Sequence, residues 1–204
     1  LDIGCGYKSK NNSKILKCKN YTGIDSDFKV IQANTKNDKH GKYYVIDYNI
    51  DWQNQLNLFN EYDSELLSSK YDNIVCLNTI HNVKNTDIFS KYIDIVSTKN
   101  SKIIIKFLDN TQLKQILTKD KIITHQENFV KYNNKENEIK YYYSERHYKP
   151  IVEKVLELND ISNILGDKWK LNKYIKYDLK FITGITEWKN YLNCFSIAIF
   201  DKTI

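Results

Sequence analysis

The 204-residue chain contains one proline, six glycines, four cysteines and no methionine. It has no proline- or glycine-rich linker and no internal repeat, so nothing in the composition divides it. No apolar run approaches the roughly 20 residues of a membrane span, and no secretory leader pattern is visible. From these the chain is expected in the cytoplasm, without a membrane partner. Cys5, Cys18, Cys76 and Cys194 include no C-x-x-C pair, which removes zinc ribbons and dithiol redox sites and leaves the thiols as small apolar fillers. A P-loop is missing as well: no G-x-x-x-x-G-K-[ST] occurs. The lack of an initiator methionine, with a start inside a strand-like segment, suggests a piece excised from a longer polypeptide.

What is present begins at the first residue. Leu1-Asp2-Ile3-Gly4-Cys5-Gly6 places two of the six glycines in one short turn after an apolar stretch. Such a turn ends a buried strand, permits positive φ, and leaves no Cβ between the main chain and a ligand. Further strand-like runs follow at Tyr21–Ile24, Tyr43–Ile46, Asn73–Leu77 and Lys102–Phe107, the last expected to be covered on both faces. Between them Asp27–Ala33, Trp52–Leu67 and Thr86–Val96 read as helices, the last capped by Asn85 with Ile88, Tyr92, Ile95 and Val96 near one face. This alternation predicts an α/β fold with a mostly parallel sheet. Beyond Phe107 the pattern predicts a hairpin of Asn128–Tyr132 with Glu138–Tyr143. A helix opened by Pro150 and stopped by Gly166 follows, then two strands, Trp169–Tyr177 and Asn193–Phe200, pairing antiparallel at the sheet edge.

Acids stand at three successive strand ends: Asp2, Asp25 and Asp47. An acid ending the second strand can accept from both ribose hydroxyls of an adenosine, and one ending the third can accept from the adenine amine. The residues after Gly6 are Tyr7-Lys8-Ser9, so the third glycine that a nicotinamide pyrophosphate requires is absent. The net charge of +6 fits a polyanionic partner. It fits equally well a lysine excess that accompanies the abundance of Asn, Ile and Tyr.

On these residues the chain resembles the S-adenosylmethionine-dependent methyltransferases. Asp2-Ile3-Gly4-Cys5-Gly6 is similar to their first motif, Gly23-Ile24-Asp25 to the second and Asp47 to the third. Within them it is similar to mRNA cap (guanine-N7) methyltransferases, notably the methyltransferase domains of capping enzymes from large cytoplasmic DNA viruses. Cys76-Leu77-Asn78-Thr79-Ile80-His81, Lys149-Pro150-Ile151-Val152-Glu153 and Glu187-Trp188 carry that narrower likeness. The resemblance implies a Rossmann-like class I fold: a seven-stranded sheet with an antiparallel edge and a small substrate lobe. The cofactor half would span about 1–108 and the substrate elements about 109–204 of one domain. It implies S-adenosyl-L-methionine as cofactor, held by Asp2, Gly4, Gly6, Asp25, Asp47 and Asn78. The cap guanine would be held by His81, Glu153 and Phe195, with capped RNA as substrate and no metal. Other capping domains or a stimulatory subunit would be partners, and the expected location would be a viral factory or virion if the chain is viral. Lys8, Lys10 and Lys14 could meet the cap triphosphate. Asn82 stands where the family usually has an aromatic residue, and Phe195 keeps a ring near the position of a pocket tyrosine but lacks its hydroxyl. Two other readings are a methyltransferase acting on another acceptor and an inactive methyltransferase-fold activating subunit.

Overall fold

The structure, a computed structural model, describes residues 1–8, 20–59, 65–111, 122–125, 128–133, 138–142, 151–176 and 195–203. Its main element is a seven-stranded sheet. The strands are β1 (Asp2–Ile3), β2 (Thr22–Asp25), β3 (Lys42–Val45), β4 (Tyr71–Leu77), β5 (Ser97–Leu108), β10 (Trp169–Lys176) and β11 (Phe195–Lys202). Their spatial order is β3-β2-β1-β4-β5-β11-β10. The pairs β1–β2, β2–β3, β1–β4 and β4–β5 are parallel, while β5–β11 and β10–β11 are antiparallel. The strand order reverses between β1 and β4, and in open α/β sheets that reversal opens a crevice at the carboxyl ends of the strands.

Five α-helices are described: α1 (Phe28–Asn37), α2 (Trp52–Phe59), α3 (Glu65–Ser68), α4 (Thr86–Val96) and α5 (Leu158–Leu165). Alternation in the strands aims Ile3, Ile24, Ile74, Cys76, Ile103, Ile105, Phe107, Ala198 and Phe200 at one face. There they meet Trp52, Phe89, Tyr92, Ile161 and Leu165 in one contiguous core. Trp52 stacks on Tyr92 with centroids 5.0 Å apart. Each large side chain sealed this way contributes about 1.5–3 kcal/mol. The opposite face carries a smaller cluster of Cys5, Val30 and Ile31, with Tyr43 and Val45 packed against it. Lys102–Phe107 is therefore not covered on both faces. Ile103, Ile105 and Phe107 are buried, while Ile104 and Lys106 are half-buried and Lys102 is exposed.

Several sequence expectations need correction. Of the helix expected over Trp52–Leu67, Trp52–Phe59 (α2) and Glu65–Ser68 (α3) are helical, and residues 60–64 lie outside the described residues. The buried stripe of α4 is Phe89, Tyr92, Ile93 and Val96, with Ile88 and Ile95 on its margin; Asn85 caps it as expected, accepting from the Ile88 N–H at 3.1 Å. Most consequential, residues Ile151–Lys154 form a strand, not a helix. Helix α5 starts only at Leu158, where the Glu157 N–H donates to the Asp160 carboxylate at 2.7 Å, and it ends at Gly166.

That strand, β9, closes a second, four-stranded sheet with β6 (Ile122–His125), β7 (Asn128–Asn133) and β8 (Glu138–Tyr142), in the order β6-β7-β8-β9. The β7–β8 hairpin was expected; β6 and β9 were not. Both ends of this inserted sheet are tied to the main one. Asp109 bridges Leu156, the Leu156 N–H donates to Leu108 O at 3.0 Å, and the Asn110 N–H donates to Leu156 O at 2.9 Å. The insertion thus rises from the carboxyl end of β5.

Candidate functional site

The turn after β1 is built from two glycines with positive φ, Gly4 at 68° and Gly6 at 57°, and they serve different ends. A Cβ on Gly4 would lie 2.3 Å from Thr79 Oγ1, so this glycine lets the turn after β1 touch the turn after β4. A Cβ on Gly6 would meet nothing within 4 Å, so this glycine leaves its face open to a ligand. The Asn34 amide fixes the turn from below, donating to Gly6 O at 2.8 Å. Beneath it Cys5 is buried, and burial, with Asp2 and Asp25 adding repulsion, pushes its thiol up to about 12.

Asp25 ends β2 and faces this turn. One carboxylate oxygen accepts the Gly6 N–H at 3.0 Å and the other the Asp27 N–H at 3.0 Å. A carboxylate has about four acceptor sites. The half-buried Asp25 therefore keeps capacity for two hydroxyl donors on its open side. Asp47, also half-buried, is placed just past β3 by Gln55. The Gln55 side chain accepts the Asp47 N–H at 2.7 Å and donates to the Asp47 carbonyl at 2.8 Å. Asn49 then links this loop to the one after β4, donating to Asn82 O at 3.2 Å and accepting the Lys84 N–H at 2.6 Å.

Asn78, directly after β4, is the one non-glycine residue with positive φ among the described residues (59°), and its side chain is exposed. Asparagine tolerates that left-handed geometry better than most residues, and such outliers gather at ligand sites. Its N–H donates to Lys106 O at 3.0 Å. His81 sits in the single helical turn Ile80–Asn82 and is 4% exposed. Phe195 opens β11 beside Leu108, at the same end of the sheet, with Lys106 Nζ 4.7 Å from its ring centroid.

Asp2 differs from the other acids. It is 1% exposed, and its carboxylate accepts the Tyr21 hydroxyl. As placed it supports the turn from within the sheet. Glu153 lies in β9, paired in register with Ile139, rather than in a first helical turn. Lys10, Lys14, Cys18, His147, Tyr148, Lys149, Pro150, Glu187, Trp188 and Cys194 lie outside the described residues.

Sequence reasoning missed the rim of the crevice. Among the described residues the exposed large apolar side chains are Tyr7, Phe28, Ile50 and Leu171. Three of these four follow β1, β2 and β3, at 64%, 63% and 53% exposure. Apolar surface concentrated where backbone amides and carboxylates converge suits a ligand with both a flat apolar body and hydroxyls. The three-residue offset of Phe28 from Asp25 and of Ile50 from Asp47 was the signal available in the sequence.

No protein-family model matches the chain, and no curated protein matches it. Solved structures do. An S-adenosylmethionine-dependent methyltransferase from Clostridium acetobutylicum is similar, with a TM-score of 0.64 at 14% identity over 100% of this chain and 83% of that one. The CcbJ methyltransferase from Streptomyces caelestis gives 0.65 at 8% identity, covering 100% and 83%. CalS10, an amino pentose methyltransferase from Micromonospora echinaspora solved with S-adenosylmethionine bound, gives 0.59 at 8%, covering 100% and 82%. At these identities the likeness establishes the fold: an α/β class I methyltransferase sheet with an antiparallel edge.

Proposed function

We propose that the chain transfers a methyl group from S-adenosylmethionine to guanine N7 of an mRNA 5′ cap. The observation that carries the cofactor half of this reading is the turn at Gly6. It has an open face, donates its N–H to the Asp25 carboxylate, and stands at the end of the sheet where exposed Phe28 and Ile50 follow β2 and β3. Those residues fit an adenosine. Asp25 would accept from the ribose hydroxyls, Asp47 from the adenine amine, and Phe28 and Ile50 would cover the purine faces. The Gly6 turn and Asn78 would flank the remainder. Gly4 and Asp2 hold the turn in place, Gly4 by admitting Thr79 and Asp2 by bonding Tyr21. When bound, S-adenosylmethionine supplies a methyl group already activated on a sulfonium.

The acceptor half rests on the segments resembling cap methyltransferases, on the +6 charge, and on the aromatic and cationic side chains at the β5–β11 end. Guanine N7 offers a lone pair and carries no proton, so no side chain has to act as a base. His81, Glu153 and Phe195 hold and orient the base, and the inserted sheet helps exclude water. Alignment of this kind can supply on the order of 7–11 kcal/mol of barrier reduction. Capped RNA is the substrate, and other capping domains or a stimulatory subunit are the partners of this reading.

The test is methyl transfer from labelled S-adenosylmethionine to GpppG. The wild-type chain methylates N7, and Glu153→Ala lowers kcat/KM for GpppG at least tenfold while S-adenosylhomocysteine still binds. Unchanged transfer in Glu153→Ala removes the guanine assignment. Cofactor binding without transfer to any cap points to another acceptor class, such as the amino pentose named for CalS10.

A further inference from the structure

Lys106 differs from the lysines that the fold pairs with carboxylates or backbone. Lys102 pairs with Asp201 at 2.7 Å, Lys168 with Asp94 at 2.6 Å and Lys91 with Asp51 at 3.3 Å. Lys202 donates to the Ser97 hydroxyl at 2.6 Å and the Asp94 carbonyl at 3.0 Å. Lys106 is half-buried and has no carboxylate partner among the described residues. Its ammonium rests over the Phe195 ring, 4.7 Å from the centroid. Burial draws its pKa down, and no neighbouring acid opposes that shift. A partly desolvated cation with no counter-charge costs the folded state free energy, and a ring face offsets only part of that cost. An incoming anion would offset the rest through a charge-assisted hydrogen bond.

Topology indicates which anion. Lys106 pairs with Leu77 of β4 on one side and Ile197 of β11 on the other, and its carbonyl holds the Asn78 N–H. It therefore lies beneath the exposed turn after β4, on the β5–β11 side. Asp25 and Asp47 belong to β2 and the end of β3, across β1 and β4 in the strand order. We propose that Lys106 binds a phosphate of the acceptor, making this end of the crevice a nucleotide-phosphate site with Phe195 beside it. The assignment rests on the reading above that the acceptor occupies the β5–β11 end. The other anion within that reading is the carboxylate of the cofactor's amino-acid tail, and the experiment separates the two.

The full chain and its Lys106→Gln and Lys106→Arg variants are titrated with GpppG, with guanosine and with S-adenosylhomocysteine. A phosphate contact predicts that Lys106→Gln weakens GpppG binding about tenfold or more. Guanosine and S-adenosylhomocysteine affinities should stay within about twofold, which also shows that the variant is folded, and Lys106→Arg should restore most of the loss. The affinity for GpppG should also become less sensitive to salt in Lys106→Gln, because a screened charge pair is lost. Unchanged GpppG binding overturns the proposal, as does a loss confined to S-adenosylhomocysteine, which would assign Lys106 to the cofactor carboxylate. If the wild type binds no GpppG, the cap reading fails, and inorganic tripolyphosphate becomes the probe. Binding that is lost in Lys106→Gln then sustains the phosphate site. Equal binding by both proteins, or none by the wild type, overturns it.

Discussion

Asp25 and Asp109 both stand at the carboxyl ends of parallel strands, one in each half of the sheet, and they are used in opposite ways. Asp25 is half-buried, accepts from backbone N–H groups alone among the described residues, and keeps acceptor capacity beside the open face of Gly6. Asp109 is fully buried. Its carboxylate accepts the Ser196 hydroxyl at 2.6 Å, the Tyr174 hydroxyl and the Thr111 N–H at 2.8 Å. It ties β5 to β10 and β11 where the inserted sheet departs. The same side chain is thus a ligand acceptor where its donors come from the turn it faces, and a strut where neighbouring strands surround it with hydroxyls. Burial and donor type distinguish the two roles; position at a strand end does not.

The two glycines of the first turn sharpen the contrast most. Gly4→Ala would drive a Cβ into Thr79 at 2.3 Å and strain a φ of 68°, so a loss of about 3–4 kcal/mol of unfolding free energy is expected by urea denaturation. Gly6→Ala meets no neighbour, so its stability cost is about 1–2 kcal/mol, from φ alone. Its larger effect should be on S-adenosylhomocysteine affinity, because the new methyl occupies the ligand's side of the turn. Equal effects of the two on binding and stability would break the distinction. Next in size is Asp109→Ala, which removes the buried carboxylate that accepts from the Ser196 and Tyr174 hydroxyls and should cost about 3 kcal/mol of stability. Cofactor affinity in the molecules that remain folded should be preserved.

The smallest effect concerns Cys5. Burial raises its thiol from 9.0 to about 12, so the folded chain keeps this proton where the unfolded chain releases it. Its contribution to stability is complete below pH 9 and is lost as pH rises through about 12. At pH 8 iodoacetamide should label Cys5 far more slowly in the native chain than in urea, as read by mass spectrometry. Fast native labelling would show that the turn is open underneath.

The strands were readable as short apolar runs: Lys102–Phe107 announced β5 by its near-continuous β-branched stretch, although the structure buries Ile103, Ile105 and Phe107 in alternation rather than both faces. The acids of the crevice were readable because each follows such a run. Strand β9 was not. Pro150 followed by Ile-Val-Glu-Lys satisfies the rules for a helix start, and pairing with β8 overrides that local preference. The separate duties of Gly4 and Gly6 were invisible too, since Thr79, which makes Gly4 obligatory, lies 75 residues further along. Phe28 and Ile50 went unremarked, because a sequence gives an apolar side chain's position on an element but not whether anything covers it. Asp109 gave no signal, because its partners Tyr174 and Ser196 come from strands far along the chain.

Calorimetric titration of S-adenosylhomocysteine into the wild-type chain and Asp25→Ala tests the central claim most directly. The account predicts binding to the wild type and a loss of about 100-fold in the variant, equivalent to two hydroxyl bonds to a carboxylate, with a smaller loss of thermal stability from the Gly6 and Asp27 N–H groups that Asp25 accepts. No heat with the wild type, or equal affinity in both proteins, would contradict it.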